Sequence, residues 1–320
     1  MYELVCFNKM KKSVCFIVLL VLFISACQPS IPSKGPSDVR QVSGSEGLRI
    51  SFLDNLPPPK LFDNEEFNAV IQIENKGSAD VGGSGDKIFL SGFDPSFLSG
   101  ISNFGMQIPS LKGVNLITLQ GDLETVSFNG KFALLKGLGA MNVPLKLLLT
   151  ACYDYETMAN PSVCIDPTPF SPVLRQKVCS AQSVSTGTQG APIAVSSVDV
   201  LPSTSGTKFK IYVNNVGGGR VFRSGLSGLS KCNPSVAWTD FFKDSDYVEV
   251  QDILISGVSI KNSCKGLDQN HVRLQNGKGM FFCDFDRIKG TSAYTTQLII
   301  KLKYGYETTQ LKNIDLYSSS

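Results

Sequence analysis

IQIENKGSADV (residues 71–81) and IYVNNVGGGRV (residues 211–221) are the stretches on which the fold turns. Each opens with alternating apolar and polar residues and closes on asparagine, glycine and small side chains. Upstream, Phe67, Ala69, Ile71 and Ile73 interleave with Asn68, Gln72 and Glu74. Phe209, Ile211 and Val213 interleave in the same way with Lys208, Lys210 and Asn214. Successive side chains on a strand point to opposite faces, so this alternation belongs to a strand with one buried face.

Two further landmarks recur in the same order. Asn129-Gly130-Lys131 matches Asn276-Gly277-Lys278, and Tyr153-Asp154-Tyr155-Glu156-Thr157 matches Tyr304-Gly305-Tyr306-Glu307-Thr308. Three matches in one order imply a tandem duplication. Asn-Gly accepts the positive φ angles of a tight turn, so a hairpin is expected at each Asn-Gly pair. Both tyrosine motifs close a strand: Leu147, Leu149, Ala151, Tyr153 and Tyr155 face one way in the first copy, and Leu298, Ile300, Leu302, Tyr304 and Tyr306 in the second. Long helical periodicity is absent, although residues 94–100 and 236–244 have room for a helical turn or two. Short strands with Gly- and Pro-rich turns predict an all-β chain, with one immunoglobulin-like antiparallel β-sandwich per copy. The expected segments are 1–26 as signal peptide, 27–46 as tether, 47–175 as the first sandwich and 176–320 as the second.

The stretches Phe67 to Ala79 and Phe209 to Gly219 resemble the strand F-x-V-x-I-x-N-x-G of CARDB-type sandwiches, which are adhesion-related domains of prokaryotic surface proteins. The closing strands carry Tyr-x-Tyr-Glu-Thr where that family has an Asn- and Glu-rich strand. The resemblance implies tandem surface domains that work through protein–protein contacts.

Ahead of these copies, Lys11 and Lys12 lead into an apolar run from Val14 to Ile24. As a helix this run spans about 16 Å, roughly half a bilayer's hydrocarbon core, which suits a secretory signal better than a membrane span. Ile24-Ser25-Ala26-Cys27 resembles the lipobox of bacterial and archaeal lipoproteins. That resemblance implies cleavage before Cys27 and lipid on its thiol, anchoring the protein to the outer face of the membrane. Gln28 to Glu46 is rich in Pro, Ser and Gly and has little to bury, as expected of a solvated tether.

Nine cysteines fit the same picture. Cys6 and Cys15 fall in the signal and Cys27 takes lipid, leaving Cys152, Cys164, Cys179, Cys232, Cys264 and Cys283. An even remainder in an exported chain suggests three disulfides. Closeness in sequence suggests Cys152–Cys164, the second Asn-Gly hairpin suggests Cys264–Cys283, and elimination leaves Cys179–Cys232. With a single histidine, His271, and no C-x-x-C pair, neither a metal nor another cofactor is expected.

The formal net charge is +3, and three lysines against one glutamate precede Cys27, so the exported body is close to neutral. A near-neutral surface gives no long-range attraction to nucleic acid. Any histidine-based catalysis would have to pass through His271, which starts the strand-like HVRL and reads more simply as a surface residue. Glu156 and Glu307, a conceivable carboxylate pair, sit at equivalent places in the two copies, which reads as structural repetition. Asp244, Asp246, Glu249 and Asp252 lack the glycine and the closing glutamate of an EF-hand loop. Gly217-Gly218-Gly219 follows a strand with no helix opening after it, so a phosphate cradle is not expected.

The expected function is therefore that of a membrane-anchored, non-enzymatic surface binding or structural protein whose partners are other envelope or surface proteins. The alternative is a carbohydrate-binding lipoprotein in which Tyr153, Tyr155, Tyr304 or Tyr306 meets a glycan.

Overall fold

The computed structural model describes residues 42–319, apart from 116, 172–176, 237, 287–289 and 291. The expected signal, Cys27 and the tether up to residue 41 lie outside the described residues, as does the expected boundary at 175/176. The chain is all-β with antiparallel sheets, relieved by short helices α1 (Leu226–Lys231) and α2 (Trp238–Phe241).

Three sheets make up the body. The first outer sheet has the order β1 (Leu48–Phe52), β3 (Glu66–Asn75), β7 (Leu123–Phe132), β5 (Leu98–Ser99). The second has the order β10 (Val184–Ser185), β11 (Ile193–Pro202), β12 (Thr207–Asn215), β17 (Lys278–Phe285). The third is a ten-stranded central sheet. Its path is β15 (Val258–Ser259), β14 (Tyr247–Ile255), β18 (Tyr294–Tyr317), β8 (Asn142–Ala159), β4 (Lys87–Ser91), β6 (Met106–Gln107). Strands β2 (Lys60–Phe62), β9 (Ser162–Ile165) and β13 (Arg220–Phe222) attach to β18, and β16 (His271–Arg273) attaches to β14. Among the described residues, every strand pairing is antiparallel except β2 with β18.

The alternation read in sequence sets the faces. Phe67, Ala69, Ile71 and Ile73 of β3 are buried, as are Phe209, Ile211 and Val213 of β12. They belong to one continuous core with Leu147, Leu149, Leu298, Ile300 and Leu302 of the central strands. Each outer sheet thus covers part of the same inner face.

The two sequence copies share that central sheet. β8 and β18 pair from Ile300↔Ala159 to Tyr317↔Asn142 without a break, and residues 41–320 form one compact unit. Eighteen residues of extended β8 cover about 60 Å. Residues 42–46 already lie against the second copy, where the Gly44 amide donates to Thr188 Oγ1 at 3.0 Å and the Gly190 amide to the Gly44 carbonyl at 3.1 Å.

Of the two expected hairpins, one forms. Asn276 (φ 52°) and Gly277 (φ 74°) make a tight turn closed by the Gln275–Lys278 bridge. Asn129 and Gly130 instead lie inside β7, paired with Asn68 and Phe67. Glycine serves close approach there, since a Cβ on Gly130 would come within 2.6 Å of the Ser99 carbonyl on β5. The register also separates the two Asn-Gly pairs: the Asn75 amide donates to Asp122 O and the equivalent Asn215 amide to Gly277 O. Asp122, not Gly130, is thus the structural counterpart of Gly277.

The disulfides are Cys152–Cys232, Cys164–Cys179 and Cys264–Cys283. Two of the three expected pairings are therefore corrected. Cys152 cannot reach Cys164 because β9 continues the line of β8 along β18, with Thr295 opposite Cys164 and Glu307 opposite Cys152. Twelve residues of extended chain put these cysteines about 40 Å apart. Three disulfides are the chemistry of an oxidising, extracytoplasmic compartment. Among the described residues, no helix is long and apolar enough to cross a membrane.

Candidate functional site

The tyrosine motifs meet at the middle of the β8–β18 ladder, where Tyr155 pairs with Tyr304 and Tyr153 with Tyr306. Their rings touch in tilted and edge-on contacts with centroids 5.8 to 6.3 Å apart. All four side chains are 1 % exposed or less. A sugar cannot stack on them in this fold, so the glycan contact expected of these tyrosines has no open face.

Their hydroxyls do other work. Tyr153 Oη accepts from the Leu48 amide at 3.1 Å and Tyr304 Oη from the Ile193 amide at 3.3 Å, each at the start of an outer-sheet strand. Each hydroxyl also bonds a threonine of the opposite copy: Tyr153 with Thr308 at 3.1 Å, and Tyr304 with Thr157 at 2.9 Å. Tyr155 Oη accepts from the Ala79 amide, and Tyr306 Oη from the Gly219 amide. Tyr155 and Tyr306 also donate to Asn75 Oδ1 and Asn215 Oδ1 respectively. Asn75 Nδ2 and Asn215 Nδ2 in turn each donate 2.8 Å bonds, to Ala79 O and Gly219 O. The recurring Asn, Tyr and Thr of the sequence are thus one hydrogen-bond network, made twice about a local two-fold axis near Asp154↔Gly305. Burial raises the pKa of all four phenols, Tyr306 to about 12, and keeps them neutral.

The back face of the central sheet is where the copies differ. Residues 223–246 of the second copy, including α1 and α2, cross it over a small apolar cluster of Phe89, Cys152, Phe222, Leu229, Cys232 and Phe241. The Cys152–Cys232 disulfide bolts this insertion to β8 of the first copy. Gly305 admits the Phe222 ring, which would lie 2.1 Å from any Cβ there.

Two clefts flank the insertion at equivalent places. One, of about 310 Å³, is lined by Thr150, Arg220, Lys231, Cys232, Phe241 and Glu307 among others. Glu307 is 3 % exposed, and Arg220 Nη2 holds its Oε1 at 2.5 Å. Burial pushes the Glu307 carboxyl above its ordinary pKa, against the pull of Arg220. The Arg220 guanidinium also lies over the Phe241 ring, 4.7 Å from its centroid.

The other cleft, about 680 Å³, contains Asp80, Asp86, Asp154, Glu156 and Lys303. Its buried acids are committed to backbone: Asp86 accepts from the Gly82, Gly83 and Asp154 amides, and Asp154 from the Gly225 amide. Burial is the largest cause raising both of these carboxyls, and the Asp86 charge raises Asp154 further.

The remaining sequence candidates are dispersed. His271 Nδ1 sits 3.0 Å from Arg223 Nη1 and 2.7 Å from the Gln269 carbonyl, with its ring edge-on to Tyr247. Glu156 and Glu307 share the back face but lie four registers apart, about 13 Å, beyond the roughly 5–9.5 Å of glycosidase carboxylate pairs. Asp244 is taken by Lys231 and Arg223, and Asp252 by the Ser259 hydroxyl. Among the described residues no group of three His, Cys, Asp or Glu side chains is arranged to hold a metal ion. Sequence reading passed over Arg220 and Thr150. The signal for Arg220 was the swap of Asp80 for Arg220 inside otherwise matching strands. Comparison with family models and with curated proteins returned no match.

Proposed function

We propose that this chain is a lipid-anchored surface protein that works by binding other envelope or surface proteins, without catalysis of its own. In this reading Cys27 carries the lipid, the segment up to residue 41 is the tether, and the body is a rigid adaptor held off the membrane. The observation that carries it is the unbroken β8–β18 ladder. It fixes the two copies in one geometry over about 60 Å, the property a surface spacer or adaptor requires. Three disulfides support the same reading, since they suit an exposed body outside the cytoplasm.

Gentle detergent extraction of the native protein followed by mass spectrometry of co-purifying chains tests this. A stoichiometric companion from the envelope, lost when Cys27→Ser releases the protein from the membrane, is the expected result. Recovery of the protein alone, with Cys27→Ser leaving its membrane association unchanged, contradicts the reading.

A further inference from the structure

We propose that the bare edge of β8 at residues 154–158 takes up an extended, basic segment of a partner protein as an added antiparallel strand. This deepens the surface role above and rests on it for where the partner comes from.

The two copies treat this edge differently. In the second, Gly305 and Glu307 of β18 turn their backbone groups away from β8 and pair with β13, Phe222 opposite Gly305 and Arg220 opposite Glu307. Asp154 and Glu156 are the matching residues of β8. The Asp154 amide points outward, to Asp86 Oδ1 at 2.9 Å, so alternation sends the N–H and C=O of Glu156 and Met158 the same way. The pairing of β4 with β8 ends at Lys87↔Cys152, and among the described residues no strand takes its place farther along that side. Nor, among the described residues, does a turn or loop donate or accept a main-chain hydrogen bond at Glu156 or Met158. The segment that corresponds to β13, residues 80–82, is held elsewhere. Val81 bridges Leu111, and the Asp86 carboxylate stands between the Gly82 and Asp154 amides. What remains beside residues 154–156 is the cleft of about 680 Å³, well within the range of about 300–1,000 Å³ for ligand sites. A free sheet edge of this kind is a template for another strand.

The second copy and the local charge choose the occupant. Arg220 of β13 holds Glu307 at 2.5 Å, whereas Glu156, the counterpart of Glu307, is exposed and only 3.9 Å from Lys303. An arginine or lysine opposite Glu156 in the added strand reproduces the Arg220 pair. The lining points the same way: Asp80, Asp86, Asp154 and Glu156 face Lys303, and Lys112 reaches Asp80 from outside at 2.7 Å. Four carboxylates thus meet two lysines, and an acidic segment would be repelled. Met158 and Leu226, both exposed, offer apolar contact to the segment's remaining side chains.

The test uses the full chain in detergent, amide-resolved NMR and the acetylated, amidated peptide Lys-Val-Arg-Val-Thr, with Glu-Val-Glu-Val-Thr as the charge-reversed control. The basic peptide is expected to give saturable shifts at the Glu156 and Met158 amides, and the acidic one none. Glu156→Lys is expected to weaken binding about tenfold or more. Met158→Pro, which removes an outward amide and leaves the ladder with β18 intact, is expected to weaken it about fivefold. Glu156→Lys alters only an exposed side chain, so it remains informative if Met158→Pro disturbs β8. Failure of the basic peptide to shift these amides, or equal binding of the acidic peptide, overturns the proposal. So does an envelope companion that still co-purifies with Glu156→Lys, which leaves the surface role standing without this edge. Peptide binding at the edge of a protein that extracts alone supports the strand addition and removes only the envelope partner.

Discussion

The cleft beside Arg220 and the cleft beside Asp80 occupy the same place in the two copies, yet they are chemically unlike. Arg220 and Glu307 in one stand where Asp80 and Glu156 stand in the other, and Cys152, across from Glu307, holds the ladder position that Lys303 holds across from Glu156. Glu307 is buried in a tight ion pair, whereas the Glu156 side chain is 57 % exposed and 3.9 Å from Lys303. On the inner face the copies are nearly interchangeable, down to the threonine that each lends to the other's tyrosine. Repeated residues thus build the inner face, and the residues that change around the repeated glutamate make the two clefts differ.

The largest expected effect on this comparison comes from removing the bolt that makes the back faces differ. Cys152→Ala with Cys232→Ala opens a link across 80 residues and is expected to cost about 4–5 kcal/mol in the chain-entropy picture. Opening Cys164–Cys179, which spans 15 residues, is expected to cost about 3 kcal/mol. Denaturant titration of the two double variants measures the order, and its reversal would show that the insertion is not fastened as described.

Next come the glycines beneath the tyrosine hydroxyls. A Cβ on Gly77 would lie 1.9 Å from Tyr155 Oη and 2.5 Å from the Gly190 carbonyl, and one on Gly217 2.7 Å from Tyr306 Oη. Either alanine substitution is expected to cost about 1–3 kcal/mol, Gly77→Ala the more. Equal melting points for wild type and Gly77→Ala would break the symmetry argument.

Removing the hydroxyls sharpens it further. Tyr155→Phe and Tyr306→Phe each strip an acceptor from a backbone amide, at about 1–2 kcal/mol. The Tyr306 bonds, 2.8 and 2.9 Å, are shorter than the Tyr155 bonds, 3.2 and 3.5 Å, so Tyr306→Phe is expected to be the costlier.

The smallest effect concerns pH. Burial raises the Asp154 carboxyl, with Asp86 adding to it, so the folded state holds this proton more tightly than the unfolded one. Its contribution to stability is complete below the ordinary carboxylate pKa of about 4 and is lost as pH rises through the raised value. Gly305, the counterpart in the second copy, has no side chain to titrate. Melting temperatures followed upward from pH 4 should therefore decline less steeply in Asp154→Asn than in wild type. Parallel slopes would remove Asp154 from the account.

Much of the inner face was legible because period-two alternation reports burial directly, as Phe67 to Ile73 and Leu298 to Tyr306 demonstrate. The tyrosine motif was legible as a strand but not as a junction. Pairing partners between distant strands leave no mark in either strand's own sequence, so β8 with β18 could not be read locally. Asn129-Gly130 misled because glycine serves close approach as well as turning, and only the third strand, β5, distinguishes the two uses. Cys152 was legible as to its face but not as to its partner. Next to buried Tyr153 it must face the opposite side of the sheet, away from any partner on the tyrosine side. The candidate cleft was the least legible part, since it joins strand residues of both copies to an insertion that belongs to one.

The central claim is that the two copies are one cooperative body joined through β8 and β18. Scanning calorimetry of the full chain tests it most directly. A single unfolding transition, with van't Hoff and calorimetric enthalpies in agreement, is the predicted result. Two separable transitions, one for each copy, would contradict it.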